Sequence, residues 1–320
     1  MLFKTDLYKQ LWWRHIHPQL DTAGHQDDFV ILNKRVLKGL YAVKQLHIIG
    51  WENDWAQDMT PEVMETFVDM SEEKSWDYFK VVTRKQDETN NPFEEFIKGK
   101  QFPVFQWESG AEYLISFENG WDAYWEDLSS KVRCEYRRKL KKAQSQNPVF
   151  RLLNHDENLE EHLDLFFNHH IAYWETKGET SLFAKPGEQE FFRSWAKELM
   201  PSNQVRFYGL FLNDELVSMR FGVMEDDRYY SMVTVNTREQ HAYSPGVLAL
   251  YYEMEHTYQT GCKIYNMGPG FFRYKRDLGA TVSPYATTMV ANPKSKTGKL
   301  VVSMKKQEVT QKQAEAVASS

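Results

Sequence analysis

Cysteine is scarce in this chain: Cys134 and Cys262 are the only two in 320 residues, and they lie far apart. They provide neither a disulfide framework nor metal-ligand spacing. No His-Glu-x-x-His helix and no Cys-x-x-Cys pair occurs, and His155, Asp156, His169, His170 and Glu253 have no spacing that builds a metal site, so no metal is expected. The opening MLFKTDLYKQLWWRHIHPQ has no basic region followed by an apolar stretch, so no signal peptide is expected. No apolar run approaches the roughly 18 residues of a membrane span, so membrane insertion is not expected. An excess of positive charge is also missing. The net charge of −6 argues against a general nucleic-acid binder, though not against a local basic site. What remains is a soluble, cytoplasmic protein. Its 42% hydrophobic and 15% aromatic content is ample for globular packing, and its length suits two domains.

The pattern of elements is mixed. In the first 120 residues, 6–16 reads as a helix, AVKQLHIIG (42–50) as a strand and the segment from Thr60-Pro61-Glu62 as a helix. WDYFKVVT (76–83) is a strand and NPFEEFIKG (91–99) a short helix. FPVFQW (102–107) and EYLISF (112–117) flank Ser109-Gly110 as a hairpin. Residues 121–147 form a connecting basic helix, and 148–292 a second lobe. That lobe opens with VFRLLN (149–154) as a strand, then helices at 157–175 and 186–200. Three strands joined by tight turns follow, RFYGLFL, ELVSMRFGVM and DRYYSMVTV, and ATTMVAN (286–292) closes the sheet. From 293 the polar composition predicts a mobile tail or a loosely attached helix. The expected class is α/β (α+β), with mixed, mostly antiparallel sheets flanked by helices.

The stretch Arg228–Gly279 carries the most information. A strand (RYYSMVTVN) feeds a polar loop and then a helix opened by Ser244-Pro245-Gly246; a strand (KIYN), a turn (MGPG) and FFRYKRDLG follow. The first N–H groups of a helix lack internal partners and carry partial positive charge, so such a start is a place to hold phosphate. Ser244 suits the N-cap, Pro245 the first helical position, and Gly246 lets an anion reach the backbone. The plain alternative is an ordinary capped helix.

The order of elements resembles the GNAT acyltransferase fold. WDAYWEDLSSKVRCEYRRKLKKA (121–143), HHIAYWETKGETSLF (169–183), YSPGVLAL (243–250) and the glycine turn followed by Tyr274-Lys275 are similar, segment by segment, to CelD-like acetyltransferases. That family is associated with cellulose and exopolysaccharide biosynthesis and is related to FemAB-type transferases. The early Trp-Trp helix and the strand ending in glycine before Asn53-Asp54 extend the likeness over roughly residues 1–290. The resemblance implies tandem GNAT-like lobes, the N-terminal one degenerate and shaping an acceptor cleft. It implies acetyl-CoA or another acyl-CoA as co-substrate, with the N–H groups of Gly246, Val247 and Leu248 on its diphosphate. The strand at 227–235 would splay from 263–266, so that pantetheine pairs with main-chain groups at Val233 and Val235 as an added strand. Two departures stand out. The family's acidic pair after the glycine turn is replaced by Gly268-Pro269-Gly270-Phe271-Phe272-Arg273, and Asn266 stands where an aspartate is usual. Both remove negative charge near the acceptor pocket.

Acyl transfer to an amine needs a neutral nucleophile, a polarised carbonyl and a proton for the departing thiolate. Tyr274 is the candidate proton donor and Lys275 the candidate oxyanion or phosphate partner; otherwise Tyr274 is core and Lys275 a solvated surface residue. The basic helix Lys131–Lys142 carries seven Lys/Arg and one acid, Glu135. It is either a solvated helix or a docking face for an anionic substrate or a coenzyme A phosphate, with Arg133, Arg137 and Arg138 as the residues to test. Trp174, Gly178 and Ser181 match the family's acceptor-side junction. Trp174 and Asn266 are therefore candidate substrate residues, with packing as the alternative for Trp174. The leading expectation is an N-acyltransferase acting by direct attack on a sugar, amino acid or related amine. A FemAB-like transferase using aminoacyl-tRNA and a non-catalytic scaffold of a polysaccharide-synthesis assembly are the alternatives.

Overall fold

The computed structural model describes residues 5–26, 28–36, 39, 41–50, 61–72, 76–84, 92–237 and 241–318. Asn53-Asp54 and Thr60 lie outside them. In chain order the helices are α1 (Asp6–His15), α2 (Pro61–Glu72), α3 (Pro92–Gly99), α4 (Trp121–Asp127), α5 (Ser130–Ala143), α6 (Leu159–Glu175), α7 (Glu188–Leu199), α8 (Pro245–Gln259), α9 (Arg273–Asp277) and α10 (Lys296–Ala318). The strands are β1 (Thr22–Gln26), β2 (Phe29–Val36), β3 (Tyr41–Ile48), β4 (Tyr78–Arg84), β5 (Val104–Ser116), β6 (Val149–Leu152), β7 (Val205–Leu212), β8 (Glu215–Glu225), β9 (Arg228–Asn236), β10 (Ile264–Pro269) and β11 (Thr281–Ala291). The class is mixed α/β with mostly antiparallel pairing, and helices flank the strands.

The chain divides into two compact units. The first is chiefly His17–Gly110 and Ser283–Ser320, the second Ala111–Val282. Each contains one parallel strand pair among antiparallel ones. In the first unit β1, β2 and β3 pair antiparallel, β3 meets β4 in parallel, and β4 meets β11 antiparallel. In the second, β5 meets β10 antiparallel, β10 meets β9 in parallel, and β9, β8, β7 and β6 continue antiparallel. A helix makes each parallel crossover, α2 in the first unit and α8 in the second. The two units thus repeat one plan, the tandem arrangement that the element order implied.

The cores follow from burial of aromatic residues at the expected periods. Phe67 of α2 packs against Phe79 of β4, Phe93 of α3 and Trp76, all fully or almost fully buried. In the second unit Leu163, Phe166 and Phe167 form the buried stripe of α6, and β7 is buried at every position. A strand covered on both faces reads as a continuous apolar run, as RFYGLFL does. The β1–β2 hairpin was not anticipated; its buried run Phe29–Leu32 was the available signal. The polar C-terminal segment is the 23-residue helix α10. Ser295 Oγ donates to Asp77 (2.5 Å), Lys294 Nζ to the Glu72 carbonyl (2.8 Å), and Val302 and Val309 are buried.

The expected hairpin at Ser109-Gly110 is instead the middle of one 13-residue strand, β5. Gly110 is there for space, not for a turn. A Cβ on it would lie 2.3 Å from the Tyr285 hydroxyl and 2.5 Å from the ring carbon bearing it, so the tyrosine crosses β5 where the side chain is missing. G110A is therefore expected to lower stability by about 1–3 kcal/mol, as overpacking does. In a Y285A background the same change should cost almost nothing. Urea midpoints of the four proteins in this cycle check it; an equal cost in both backgrounds would mean that Tyr285 is not the obstacle.

Candidate active site

β9 and β10 pair over only three rungs, Arg228–Ile264, Tyr229–Tyr265 and Tyr230–Asn266. Beyond Tyr230, β9 keeps its partner β8 but has no β10 partner among the described residues. Bulges on both strands cause the parting. On β9, Ser231 opposes Gly222 and Val233 opposes Phe221, which leaves Met232 as an extra residue. On β10 the register with β5 slips between Asn266 and Pro269, where Asn266 Oδ1 accepts from the Gly268 N–H (2.8 Å). A bulge bends and twists its strand, so paired bulges open a fork. Val233 and Val235 lie on the arm beyond its apex.

α8 begins beside that arm. Pro245 is its first residue, but Ser244 sits in the left-handed region (φ 56°) and its side chain makes no capping bond. Its carbonyl accepts instead from the N–H groups of Val247 (3.0 Å) and Leu248 (3.2 Å). Two of the three N–H groups expected to face a ligand are thus engaged inside the helix, and Leu248 is buried. The Gly246 N–H is the one of the three not turned to the Ser244 carbonyl, and the Asn236 side chain packs over its Cα. A Cβ there would meet the Asn236 amide at 2.7 Å. Asn236 Oδ1 in turn accepts from Ser218 Oγ (2.8 Å).

A cleft of roughly 480 Å³ opens at this point, within the size range of small-molecule sites. Its walls are Ser244–Val247, Leu250 and Tyr251 of α8, Thr234 and Asn236 of β9, Val132, Glu135, Tyr136 and Lys139 of α5, and Tyr274, Asp277 and Leu278 at α9. Arg220 of β8 completes them. α5 is held to α8 by the stacked rings of Tyr136 and Tyr251, 3.8 Å apart, and Lys139 pairs with Glu135 (2.8 Å).

Arg220 is the centre of a buried polar network. Its Nε bonds Glu253, a fully buried carboxylate of α8. Its Nη2 donates to Ser231 Oγ (2.9 Å) and to the Tyr265 hydroxyl (3.4 Å). Tyr229 donates to Glu253 (2.8 Å), and Tyr265 donates to it as well. Burial alone pulls the guanidinium pKa down; Glu253, then Tyr265, overcome this and drive it up, so the guanidinium stays charged at any working pH. Burial raises the pKa values of Tyr229 and Tyr265 far above normal, with Glu253 adding to it.

Tyr274 lines the cleft, half exposed. Burial pushes its phenol above the ordinary value, with Arg220 pulling down and Glu253 pushing up. It is protonated at neutral pH. Lys275, its neighbour, faces the opposite way and is 2% exposed. Its Nζ donates to the carbonyls of Gly268 (2.9 Å) and Pro269 (2.7 Å) and stands over the Tyr113 ring (5.1 Å). Lys275 is therefore neither a cleft residue nor a solvated one, which corrects both readings of it. It clamps α9 to the bulged end of β10 and so turns Tyr274 outward.

Residues 130–276 match the Acetyltransferase (GNAT) domain family. Several solved structures share the fold. The L-PGS structure from Bacillus licheniformis has a TM-score of 0.54 at 11% identity, covering 93% of this chain and 95% of that one. The C-terminal domain of a lysylphosphatidylglycerol synthetase from Agrobacterium fabrum gives 0.54 at 11%, covering 86% and 87%. FemX gives 0.53 at 11%, covering 83% and 86%. The second unit is similar to acyltransferase domains. No curated protein matches by sequence.

The remaining candidates lie elsewhere. Trp174 is not among the cleft residues; its Nε1 donates to His170 Nε2 (3.0 Å), so the His170 proton is on Nδ1 and donates to Ser181 Oγ (2.8 Å). Burial holds His170 down to about 4, so it is neutral here. Arg137 borders a separate shallow hollow with Trp125, Glu126 and Arg133, and Arg138 is exposed. α5 contributes Glu135 and Lys139 to the cleft in place of these arginines. Asn266 is buried at the fork's apex, where its Oδ1 holds the bulge. No helix is long and apolar enough to cross a membrane, and no His/Cys/Asp/Glu cluster suited to a metal occurs, both among the described residues.

Arg220, Asn236, Glu253 and Lys139 were missed as site residues. The signals were an arginine inside an apolar strand (SMRFGVM) and a glutamate on the apolar stripe of α8, in register with Ala249 and Thr257.

Burial pushes Lys275 down to about 8 from an ordinary 10.5, against the pull of Glu112. Between those values the unfolded chain binds more protons than the folded one, so stability should rise as pH increases from 8 to 10.5. In K275M that rise should vanish, and the two stranded carbonyls should cost about 1–3 kcal/mol each. Denaturant melts of both proteins across that window test the clamp; parallel pH profiles would contradict it.

Proposed function

We propose that this protein is an acyl-CoA-dependent N-acyltransferase that moves an acyl group, most simply acetyl, to an amine of a sugar, amino acid or related metabolite. The observation that carries the reading is the fork between β9 and β10 opening onto the cleft at Ser244–Val247. An extended pantetheine chain suits the unpaired edge at Val233 and Val235, as strand addition does elsewhere. The Gly246 N–H, the start of α8 and Lys139 supply positive character for the diphosphate. The amine attacks the thioester directly, and the neutral phenol of Tyr274 protonates the departing thiolate. The likeness to CelD-like sequences makes a saccharide amine the first acceptor to try, in a cytoplasmic setting.

A specific observation favours a second reading, a FemAB-like aminoacyl transfer from charged tRNA. Val247 and Leu248 both direct their N–H groups at the Ser244 carbonyl, which leaves fewer donors for a diphosphate than the sequence promised. The positive face of α5, with Arg137 and Arg138 exposed, is where RNA would lie.

Acetyl-CoA at a hundredfold excess over its Kd should add about 2.7 kcal/mol of apparent stability. This is read as a rise of several degrees in melting temperature. N236D keeps the acceptor for Ser218 but puts a carboxylate beside Gly246; it should weaken acetyl-CoA at least about tenfold while leaving the unliganded melt almost unchanged. A chain indifferent to acetyl-CoA that binds tRNA in a salt-sensitive manner belongs to the second reading. Binding of acetyl-CoA without thiol release across a panel of amines would instead mark a non-catalytic scaffold.

A further inference from the structure

The apex of the fork holds a group to which neither reading of the sequence gave a role. Ser231 is the first residue of β9 past its last rung with β10, and Tyr265 lies on the rung before the end. Arg220 bonds to both, so its guanidinium sits at the point where the strands separate. Nε and Nη2 are occupied by Glu253, Ser231 and Tyr265. Nη1 has no acceptor among the described residues, on a side chain that lines the cleft. Tyr274, the candidate proton donor, lines the same cleft and feels the charge of Arg220. Lys275, the cation that the sequence nominated for the oxyanion, is committed to the Gly268 and Pro269 carbonyls.

We propose that Arg220 is a catalytic residue, its Nη1 donating to the carbonyl oxygen of an acyl thioester seated at the apex of the fork, with Glu253 as the residue that positions it. This rests on the acyl-CoA reading above. The lone pair of a neutral amine forms the C–N bond, and the carbonyl π pair moves onto oxygen, where the Arg220 N–H holds it. Collapse of the oxyanion restores the C=O bond and breaks the C–S bond. The thiolate takes the Tyr274 proton, and the tyrosinate regains one from the new amide nitrogen. One proton passes in net from nitrogen to sulfur, with no change in oxidation state. A donor fixed on three sides before the ligand arrives needs no reorganisation as charge develops, which is the condition for stabilising a transition state rather than a substrate.

The test compares acetyl-CoA with S-ethyl-CoA, a thioether that lacks only the carbonyl oxygen. Calorimetry on the wild-type protein should show acetyl-CoA preferred by about tenfold, the worth of a hydrogen bond from a charged donor. The carbonyl stretch of bound 13C-labelled acetyl-CoA should move to lower frequency. R220Q/E253Q removes both buried charges together; it should bind the two ligands equally, with the carbonyl stretch at its solution position. Should that variant not fold, R220K leaves Glu253 paired but moves the donor, and the same loss is expected. Equal affinities in the wild type, or a preference and frequency shift that survive in the variant, would overturn the role of Arg220 alone. A wild type that binds neither ligand would remove the acyl-CoA reading itself.

Discussion

The second unit depends on two adjacent strands that stop pairing after three rungs. Left to themselves, parallel neighbours such as β9 and β10 would continue their ladder, because unpaired backbone groups away from water are costly. Each strand instead carries an extra residue where the ladder ends, Met232 on one side and a residue between Asn266 and Pro269 on the other. Arg220 and Tyr265 then fill the apex with side-chain hydrogen bonds. The fork is therefore a built feature of the native state, and its open edge runs to the start of α8. The β9 wall of the cleft owes its place to that divergence, while the α5 wall is held by the stack of Tyr136 on Tyr251.

Lys275 shows how a buried charge can act through its neighbour. α9 is only five residues long, too short to be held by its own hydrogen bonds. Two carbonyl acceptors and the Tyr113 ring fix its lysine inward, and the helical turn then sends Tyr274 to the other side. The clamp and the bulge on β10 are one device, since the carbonyls that Lys275 binds belong to Gly268 within the bulge and Pro269 at its end.

Much of this architecture was legible in the sequence. The apolar runs of β7 and β8, the striped helix α6 and the Ser-Pro-Gly start of α8 each carry a local signal that tertiary packing did not overrule. Ser109-Gly110 misled because a glycine that opens a turn and one that makes room for a ring have the same composition; only the position of Tyr285 tells them apart. The direction of Lys275 was equally hidden, since a five-residue helix has no period long enough to mark an inner face. Bulges left no trace at all. Arg220 was visible as a charge inside an apolar strand, but its meaning required Glu253, more than thirty residues later, to be brought against it.

A buried ion pair is poor evidence of stabilisation, because removing two charges from water costs several kcal/mol each and a well-packed apolar pair commonly does as well. Leucines in place of Arg220 and Glu253 would spare that cost but would strand the buried hydroxyls of Tyr229 and Tyr265. What leucines could not reproduce is the reach of the network. Glu253 takes bonds from Arg220, Tyr229 and Tyr265, so one carboxylate on α8 fixes side chains on β8, β9 and β10 at once. That ties the helix to the diverging strands and sets the electrostatic balance at Tyr274, where a cation and an anion act with opposite sign on a phenol already raised by burial. A site that must keep a proton donor neutral and a cation fixed beside it needs such a pair. The cost of burying the charges is then the cost of holding the cleft in one electrostatic state.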